Sequence, residues 1–252
     1  MKATITLAPK PIQAVGEPRV KPAFVSIIVP TLNEAQNVRR LASTLSALPE
    51  AEIIFCDGGS CDGTPDEIQH CVGGRWNVRL IHAPCNRAQQ MNAGAKQAKG
   101  EWLIFLHADT VLPRESFNGF LVMAKQSPHL NAGAFTFRVA HQSWVYRYLE
   151  FYVGLRCKLL KLPFGDQAIF IRRKLFEAIG GYREDFPLME DMEIAQRLNK
   201  QQGFVLLDFL VYTSARRYEA EGFFKRGLGN IYLQLLYRLG VHPRELAKKY
   251  WK

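Results

Sequence analysis

The sequence lacks the features that define several large classes of protein. No stretch of about 18 uncharged apolar residues occurs, so a membrane-spanning helix is not expected. Residues 1–22 have no continuous apolar core, which argues against a secretory signal. The five cysteines lie at irregular spacings without a C-x-x-C pair, which argues against a zinc site and favours free thiols in a reducing cytoplasm. The composition, 48% hydrophobic and 22% charged over 252 residues, is typical of a globular protein.

Three motifs of nucleotide-binding and hydrolytic enzymes are also missing. There is no G-x-x-x-x-G-K-S/T phosphate loop, and no G-x-G-x-x-G follows the first predicted strand. A G-x-S-x-G nucleophile elbow does not occur either. The sequence therefore does not predict P-loop, dinucleotide-binding or α/β-hydrolase chemistry.

Positive charge is concentrated at the two ends of the chain, whose net charge is +10. Residues 216–252 hold nine Lys or Arg against three Glu, and residues 1–22 hold four against one Glu. A basic tail on a nearly neutral core indicates contact with phosphates of a nucleotide, a nucleic acid or an anionic membrane. A solvated helix face is the alternative.

Four short apolar runs alternate with helical patterns in the first 110 residues. The runs are rich in β-branched or aromatic residues, typical of strands buried on both faces. They span residues 25–29, 52–56, 78–82 and 102–106. An amphipathic stripe after Asn33 predicts a helix that Asn33 caps, and Gly100 is expected to end the third helix. The order β-α-β-α-β-α-β predicts an α/β fold with a doubly wound, mainly parallel sheet.

The second half of the sequence is less regular. Residues 132–139 alternate like a strand with one exposed face, and residues 144–162 predict a long helix rich in aromatic side chains. A short strand is expected at 168–171 and a helix at 187–200. The end of the chain predicts helices with a break near Gly240 and Pro243.

Polar residues gather where the predicted strands end, at 30–34, 57–64 and 107–110. Ligands of doubly wound sheets bind beyond the carboxyl ends of the strands, so these segments are expected to converge. Carboxylates there can accept a hydrogen bond from a base, bind a cation that bridges phosphates, or act as a general base. Each one alone is more often a cap or turn residue. The candidates are Asp57, Asp62, Asp109, Asp166, Glu190 and Asp191.

These segments together resemble glycosyltransferase family 2, over about residues 24–215. The resemblance rests on VSIIVPTLNE from Val25, DGGSCDGT from Asp57, HAD from His107 and ED from Glu190. The strings FGDQAIFIRR, PLMEDMEIAQRL and TSARRY are similar to a small bacterial radical-SAM/selenodomain-associated subgroup that is linked to arsenosugar biosynthesis. The resemblance implies a GT-A fold, a nucleotide-diphosphate sugar donor (with UDP expected), Mg²⁺ or Mn²⁺, and inversion at the anomeric carbon.

The resemblance also implies roles for individual residues. Asp57 would contact the uracil ring, and Asp109 would be the metal ligand. Asp191, in the Glu190-Asp191 pair, would be the catalytic base. The other expected contacts are Thr31, Glu34 and Arg87 for the nucleotide or donor, and Gly165, Asp166 and Gln167 for the acceptor.

One position departs from the family pattern. His107 stands where the metal-binding element of the family begins with Asp, so the usual ribose contact is in question. Either His107 donates to the ribose or a phosphate, or it packs at the strand end. Arg216 and Arg217 are further candidates for phosphate contacts, with surface solvation as the alternative.

We therefore expect a flexible leader (1–22), a GT-A catalytic domain (23–215) and a basic helical C-terminal extension (216–252). The expected partners are a nucleotide-sugar and an unidentified acceptor, without nucleic acid. The expected location is cytoplasmic, with peripheral contact at the inner face of the membrane through the aromatic helix or the basic tail. Two alternatives stay open. A sugar-1-phosphate nucleotidyltransferase would need a glycine-rich basic loop after the first strand, which residues 30–34 do not supply. The other is a non-catalytic module that binds anionic membranes or polyanions.

Overall fold

An eight-stranded mixed sheet organises the computed structural model, which describes residues 23–73 and 77–250. The strand order is β3-β2-β1-β4-β7-β6-β8-β5. The first four strands are parallel, β7 is antiparallel to both its neighbours, and β6 pairs in parallel with β8. The α/β fold with its large, mostly parallel sheet is confirmed. The strands are β1 (Val25–Thr31), β2 (Ala51–Asp57), β3 (Val78–His82), β4 (Trp102–Phe105), β5 (Thr110–Val111), β6 (Ala132–Val139), β7 (Ile169–Arg172) and β8 (Phe204–Thr213).

Helices connect the strands and continue to the end of the described chain. The predicted helices after the first three strands, the long aromatic helix and the broken C-terminal helices are confirmed. They are α1 (Ala35–Leu45), α2 (Thr64–Val72), α3 (Arg87–Gln97), α4 (Arg114–Gln126), α5 (Trp144–Leu160), α6 (Arg173–Ala178), α7 (Glu190–Asn199), α8 (Arg216–Glu221), α9 (Phe223–Arg238) and α10 (Pro243–Tyr250). Among the described residues, no helix is long and apolar enough to cross a membrane.

The core lies in two layers, one on each face of the sheet, because successive side chains of a strand point to opposite faces. In β1, Ile27 belongs to the layer that includes α1, and Ile28 to the layer that includes α3. Helix α3 packs closely because it carries Gly94, where an added Cβ would lie 2.5 Å from Ile28 Cγ2. Burying one such aliphatic side chain contributes about 1.5–3 kcal/mol.

Three local expectations are wrong. Asn33 does not cap α1: its own φ is +54°, its side chain accepts from the Cys61 N–H, and Asp62 accepts from the Ala35 N–H instead. Gly100 does not end α3. It is needed because a Cβ there would lie 2.6 Å from the Ser26 nitrogen. Strand β6 has no exposed face, since its residues are buried or half-buried between helices and β8.

The domain boundaries stay predictions. Residues 1–22, the expected leader, lie outside the described residues. The boundary at 215/216 falls immediately before α8, and α8 begins with two arginines that contact the sheet edge described next.

Candidate active site

The carboxyl ends of β1 and β2 form one side of the site. Parallel register puts Thr31 opposite Asp57, and both side chains are about 1% exposed. The Asp57 carboxylate accepts from the N–H groups of Gly59 and Ser60 at 2.9 and 3.0 Å and from Ser60 Oγ at 2.5 Å. Asp57, the last residue of β2, therefore fixes the conformation of the loop that follows it.

A glutamine that the sequence analysis missed ties these two strand ends to α3. Gln90 Nε2 donates to the carbonyls of Thr31 and Cys56 at 2.8 and 2.7 Å. Its packing also explains Gly58, where a Cβ would lie 2.9 Å from Gln90 Nε2. A single glutamine inside an amphipathic helix carries no motif, so the sequence offered no signal for it.

Two arginines of α8 reach across to the predicted donor residues. Arg216 Nη2 donates to Glu34 Oε2 at 3.0 Å. Arg217 lies between two carboxylates, with Nη2 3.8 Å from Glu34 Oε1 and Nε 3.8 Å from Asp109 Oδ2. Glu34 and Asp109 are nearly buried, so the arginines supply positive charge where carboxylates converge. The Arg216 and Arg217 side chains are 45% and 41% exposed, so they pair with these carboxylates while also contacting solvent.

His107 packs directly against the predicted acceptor segment. An added Cβ on Gly165 would overlap His107 Nε2, so only glycine fits there without movement. Burial lowers the pKa of His107 to about 4. Arg87 adds to this shift, whereas Asp109 and Asp191 oppose it. The imidazole is therefore neutral at pH 7 and can serve as both a donor and an acceptor.

The Glu190-Asp191 pair begins α7, where the positive end of the helix dipole favours acidic side chains. Asp191 Oδ2 accepts from the Gly165 N–H at 2.9 Å, and Oδ1 accepts from the Met192 N–H at 2.7 Å. Glu190 is 2% exposed and pairs with Arg87 at 3.0 Å. Burial raises the pKa of Glu190, and Arg87 opposes that shift. Glu190 thus holds Arg87, while backbone donors orient Asp191.

The 3₁₀ turn Gly165–Gln167 carries two acceptor-side candidates with different surroundings. Gln167 is a structural tie, donating to the Phe135 carbonyl at 3.1 Å and accepting from the Phe164 N–H at 3.3 Å. Asp166 Oδ1 is buried without a hydrogen-bond partner. Burial raises the pKa of Asp166 to about 7; Arg156 opposes the shift, and Asp191 and Asp109 add to it.

Strand β8, which the sequence analysis did not predict, joins the two sides. Thr213 Oγ1 lies 3.0 Å from Thr110 Oγ1 and donates to the Asp166 carbonyl at 3.2 Å. The Ser214 N–H donates to the Asp109 carbonyl at 3.0 Å. Strand ends and α7 thus form one contact network around the predicted residues. Asp62, by contrast, accepts from Ala35 and from Thr64 and is a cap and turn residue.

The donor set fits a cation that arrives with its ligand better than one held by the protein alone. Within residues 23–73 and 77–250, no group of three or more His, Cys, Asp or Glu side chains is arranged to hold a metal ion. Magnesium commonly uses one or two carboxylates together with substrate phosphates. The Asp109 carboxylate, with Arg217 as its present cationic neighbour, suits that arrangement.

Comparison with known proteins agrees with this geometry. The profile of "Glycosyl transferase family 2" matches residues 26–183, more than half of the chain. The chain belongs to glycosyl transferase family 2. These strand ends, Asp109 and the 3₁₀ turn all lie within the matched region.

Curated relatives of this family 2 chain include two named sugar transferases. A PGL/p-HBAD biosynthesis glycosyltransferase of Mycobacterium bovis is 30% identical over 172 residues, which cover 67% of this chain and 66% of the relative. The dolichol-phosphate mannosyltransferase of Saccharomyces cerevisiae is 33% identical over 99 residues, 36% of this chain and 37% of the relative. The matches support the family but not the radical-SAM/arsenosugar subgroup.

Solved structures support the GT-A type fold. The mannosyltransferase PcManGT of Pyrobaculum calidifontis, in complex with GDP-Man and Mn²⁺, has a TM-score of 0.56 at 19% identity, covering 81% of this chain and 60% of that one. S. aureus TarS 1-349 in complex with UDP-GlcNAc has a TM-score of 0.60 at 18% identity, covering 75% and 58%.

Proposed function

We propose that this family 2 chain moves a sugar from a nucleotide-diphosphate donor, with UDP as the nucleotide, to a hydroxyl or carboxylate acceptor, inverting the anomeric centre. The observation that carries the proposal is the contact of the Gly165 turn with both His107 and Asp191. It joins the strand end that bears Asp109 to the helix that bears Asp191. The nucleotide-sugar complexes of PcManGT and TarS support a nucleotide-sugar donor.

On the donor side, the nucleotide base would bind against Thr31 and Asp57, which lie opposite each other at the ends of β1 and β2. A carboxylate there can accept from the ring N–H of uracil, beyond the bonds that it accepts from its own loop. Glu34 lines the pocket and holds Arg216 and Arg217 toward the diphosphate. His107, neutral at pH 7, is available to donate to the ribose or a phosphate.

Asp109 would hold Mg²⁺ or Mn²⁺ together with the donor diphosphate. Such a cation, when bound, neutralises the negative charge that builds on the leaving diphosphate. Arg217, which already lies near Asp109, contributes positive charge on the same side. Arg87, held by Glu190, adds a third cationic side chain to Arg216 and Arg217.

Asp191 is proposed as the general base. The acceptor oxygen forms a bond to the anomeric carbon while the bond from that carbon to the diphosphate oxygen breaks. The electron pair leaves with the diphosphate, and the proton of a hydroxyl acceptor goes to Asp191, whereas a carboxylate acceptor is already ionised and has no proton to lose. A single displacement of this kind inverts the anomeric centre and needs no enzyme nucleophile. A positioned base contributes roughly 10²–10⁴-fold to the rate.

A donor screen tests the proposal. The full chain is incubated with a panel of UDP-sugars and GDP-sugars plus Mn²⁺, and slow release of the nucleoside diphosphate is measured. We expect release from at least one UDP-sugar, and weaker binding of UDP by Asp57→Ala; a melting curve checks that this variant, which loses the hydrogen bonds of its loop, still folds. Release of inorganic pyrophosphate from a nucleoside triphosphate and a sugar-1-phosphate, with none from any nucleotide-sugar, would instead support the nucleotidyltransferase alternative.

Peripheral membrane contact is a second proposal, carried by two apolar stripes. Each stripe follows a spacing of four, three, four and four residues, which puts its members on one face of a helix. Their side chains are 44% to 75% exposed. The stripes are Trp144, Tyr148, Phe151, Leu155 and Leu159 of α5, and Phe224, Leu228, Ile231, Leu235 and Leu239 of α9. Exposed apolar side chains beside a basic segment suit an anionic bilayer surface.

Sedimentation with vesicles tests the membrane contact. We expect the chain to pellet with phosphatidylglycerol vesicles at low salt and to remain in solution with phosphatidylcholine vesicles. Equal recovery with both lipids would contradict an electrostatic contribution, and no pelleting with either would contradict the contact itself.

A further inference from the structure

A groove separates α5 from α9 on the side of the molecule that carries the apolar stripes. Its volume is about 320 Å³, within the range of small-ligand sites. Its walls are mostly apolar, and Leu155 and Leu159 of α5 face Ile231 and Leu235 of α9 across it. A groove lined by aliphatic side chains of two helices suits an extended apolar chain.

One cationic side chain in the lining is buried and incompletely partnered. Arg156 is 7% exposed, and its Nε has no hydrogen-bond partner in the described part of the chain. Its guanidinium stacks on Phe164 at 3.6 Å, and its Nη2 donates to Gln167 Oε1 at 3.4 Å. A buried cationic donor with an unmet N–H is costly unless a ligand completes it.

Arg156 links the groove to the candidate active site. Gln167, its partner, closes the same 3₁₀ turn whose first residue, Gly165, donates to Asp191. Asp166, between these two residues, has a pKa that burial raises to about 7, so it neutralises Arg156 only in part at neutral pH. An anion at Arg156 would therefore lie beside the acceptor turn while an attached apolar chain follows the groove.

We infer that the α5/α9 groove binds the acceptor of the proposed transfer, an amphiphile with one long apolar chain and an anionic head that Arg156 recognises. This inference rests on the proposed function only in calling the bound molecule an acceptor. The binding in the groove does not depend on it. The anionic head is shared by long-chain carboxylates and lipid phosphates; because the proposed transfer needs an acceptor hydroxyl or carboxylate, a lipid phosphate would also have to carry a hydroxyl. Binding in the groove differs from membrane contact because it requires one chain in one groove rather than a surface.

Calorimetric titration of the full chain with dodecyl phosphate, below its micelle concentration, tests the groove. We expect saturable binding of one molecule per chain, with no binding of inorganic phosphate over the same range. Dodecyl maltoside, which has the same chain and a neutral head, should bind about tenfold more weakly, because it cannot form a charged hydrogen bond. Binding of inorganic phosphate as tight as that of dodecyl phosphate would overturn the inference, since an anion alone would then suffice.

Two leucines of α9 distinguish binding in the groove from adsorption to the protein surface. Leu235 and Leu228 both belong to the exposed stripe of α9, at 53% and 66% exposure, but Leu235 lines the groove and Leu228 does not. Leu235→Glu should weaken dodecyl phosphate binding about tenfold or more, because it places a carboxylate against an apolar chain. Leu228→Glu should change it less than twofold. An equal loss in both variants would overturn the groove in favour of general surface adsorption.

Arg156→Gln tests the head group. The variant should lose most of its preference for dodecyl phosphate over dodecyl maltoside, since the buried charged donor is gone and only Arg238 of the lining still carries positive charge. A melting curve checks that it folds, and if it does not, the leucine pair still decides the matter. An undiminished preference for the phosphate in a folded Arg156→Gln chain would overturn the role of Arg156.

The donor screen keeps this inference apart from the proposed function. If the wild-type chain hydrolyses no nucleotide-sugar yet binds dodecyl phosphate with these preferences, sugar transfer fails and the groove stands. If hydrolysis occurs and dodecyl phosphate shows no saturable binding, the groove fails and the proposed function stands.

Discussion

The donor side and the acceptor side of the site differ in how completely their polar groups are paired. Asp57 and Glu34 accept hydrogen bonds or ion pairs from their own loop, from α8 and from neighbouring side chains. On the acceptor side, Asp166 Oδ1 and Arg156 Nε are buried without hydrogen-bond partners. Trp102 Nε1 is the other such atom in the described residues. An unmet buried polar group costs about 1–3 kcal/mol. The donor side is thus paired within the chain, whereas the acceptor side holds two buried polar atoms that have no partner in the described residues.

Asp191 stands where the two sides meet, so its loss is expected to have the largest effect. Asp191→Asn should lower turnover about 10²–10⁴-fold, because the amide cannot take the acceptor proton. Donor affinity should persist, since the paired groups of the donor side remain. Turnover and a nucleotide titration on the same variant measure the two quantities. Loss of donor affinity along with turnover would contradict the separation of the two sides.

Gly165→Ala should disrupt the contact between the Gly165 turn and His107. The new Cβ would overlap His107 Nε2, and relieving that overlap should lower the free energy of unfolding by about 1–3 kcal/mol. Gly154→Ala is the matched control, since a Cβ on Gly154 in α5 meets nothing within 4 Å. It should stabilise the helix by about 0.5–1 kcal/mol. Urea unfolding of both variants checks the signs, and a neutral Gly165→Ala would show that His107 moves freely.

Asp166→Asn removes the titrating group on the acceptor side, so its effect on the free energy of unfolding should depend on pH. The raised pKa keeps native Asp166 protonated up to about 7, while the unfolded chain loses that proton near the ordinary aspartate value of 3.8. The unfolded state therefore binds fewer protons between those values, and Asp166 lowers stability as the pH rises through them. The stability gained by Asp166→Asn should grow between about pH 4 and 7 and then level off.

Asp185→Asn is the control for that pH series. A hydrogen bond from Arg183 lowers the pKa of the exposed Asp185, so its stabilisation is present above the ordinary aspartate pKa and is lost as the pH falls through the lowered one. Its pH trend should have the opposite sign and be small. Unfolding free energies measured at several pH values decide both trends. A flat difference for Asp166→Asn would contradict the burial of that carboxyl group.

Arg217→Gln should have the smallest effect on stability. Its contacts with Glu34 and Asp109 are both 3.8 Å and partly exposed, so the free energy of unfolding should change by less than about 1 kcal/mol. UDP affinity should nevertheless fall, because positive charge beside the diphosphate is removed. Arg39→Gln, which breaks an exposed pair with Glu67, should change stability similarly and leave UDP affinity unchanged. Equal UDP affinities in the two variants would contradict a phosphate contact.

The sequence predicted the parallel half of the fold because its strands are continuous apolar runs between regular helical stripes. It missed β8 because the ten-residue strand FVLLDFLVYT lies half-buried and alternates poorly, and β5 because two residues carry no period. Asn33 failed as a cap because Asp62, from a loop after β2, takes the helix N–H instead. Long-range partners of this kind are invisible in a local pattern.

The candidate residues of the site were predictable as types at strand ends, but their mutual contacts were not. The contact of Gly165 with His107, and the arginines of α8 at Glu34 and Asp109, join segments more than fifty residues apart. Gln90 lacked any motif, and Thr213 was noted only as the first residue of the string TSARRY. The roles proposed for these residues therefore rest on geometry together with the family match, and the variants above test them.

The short linkage between α8 and α9 has a mechanical consequence. Gly222 alone separates the helix that carries Arg216 and Arg217 from the helix that forms one wall of the groove. Because only Gly222 lies between them, a change in the direction of α9 would have to be accommodated at Gly222 or by a shift of Arg216 and Arg217. The wall of the apolar groove and the ion pairs with Glu34 and Asp109 are therefore joined through a single residue.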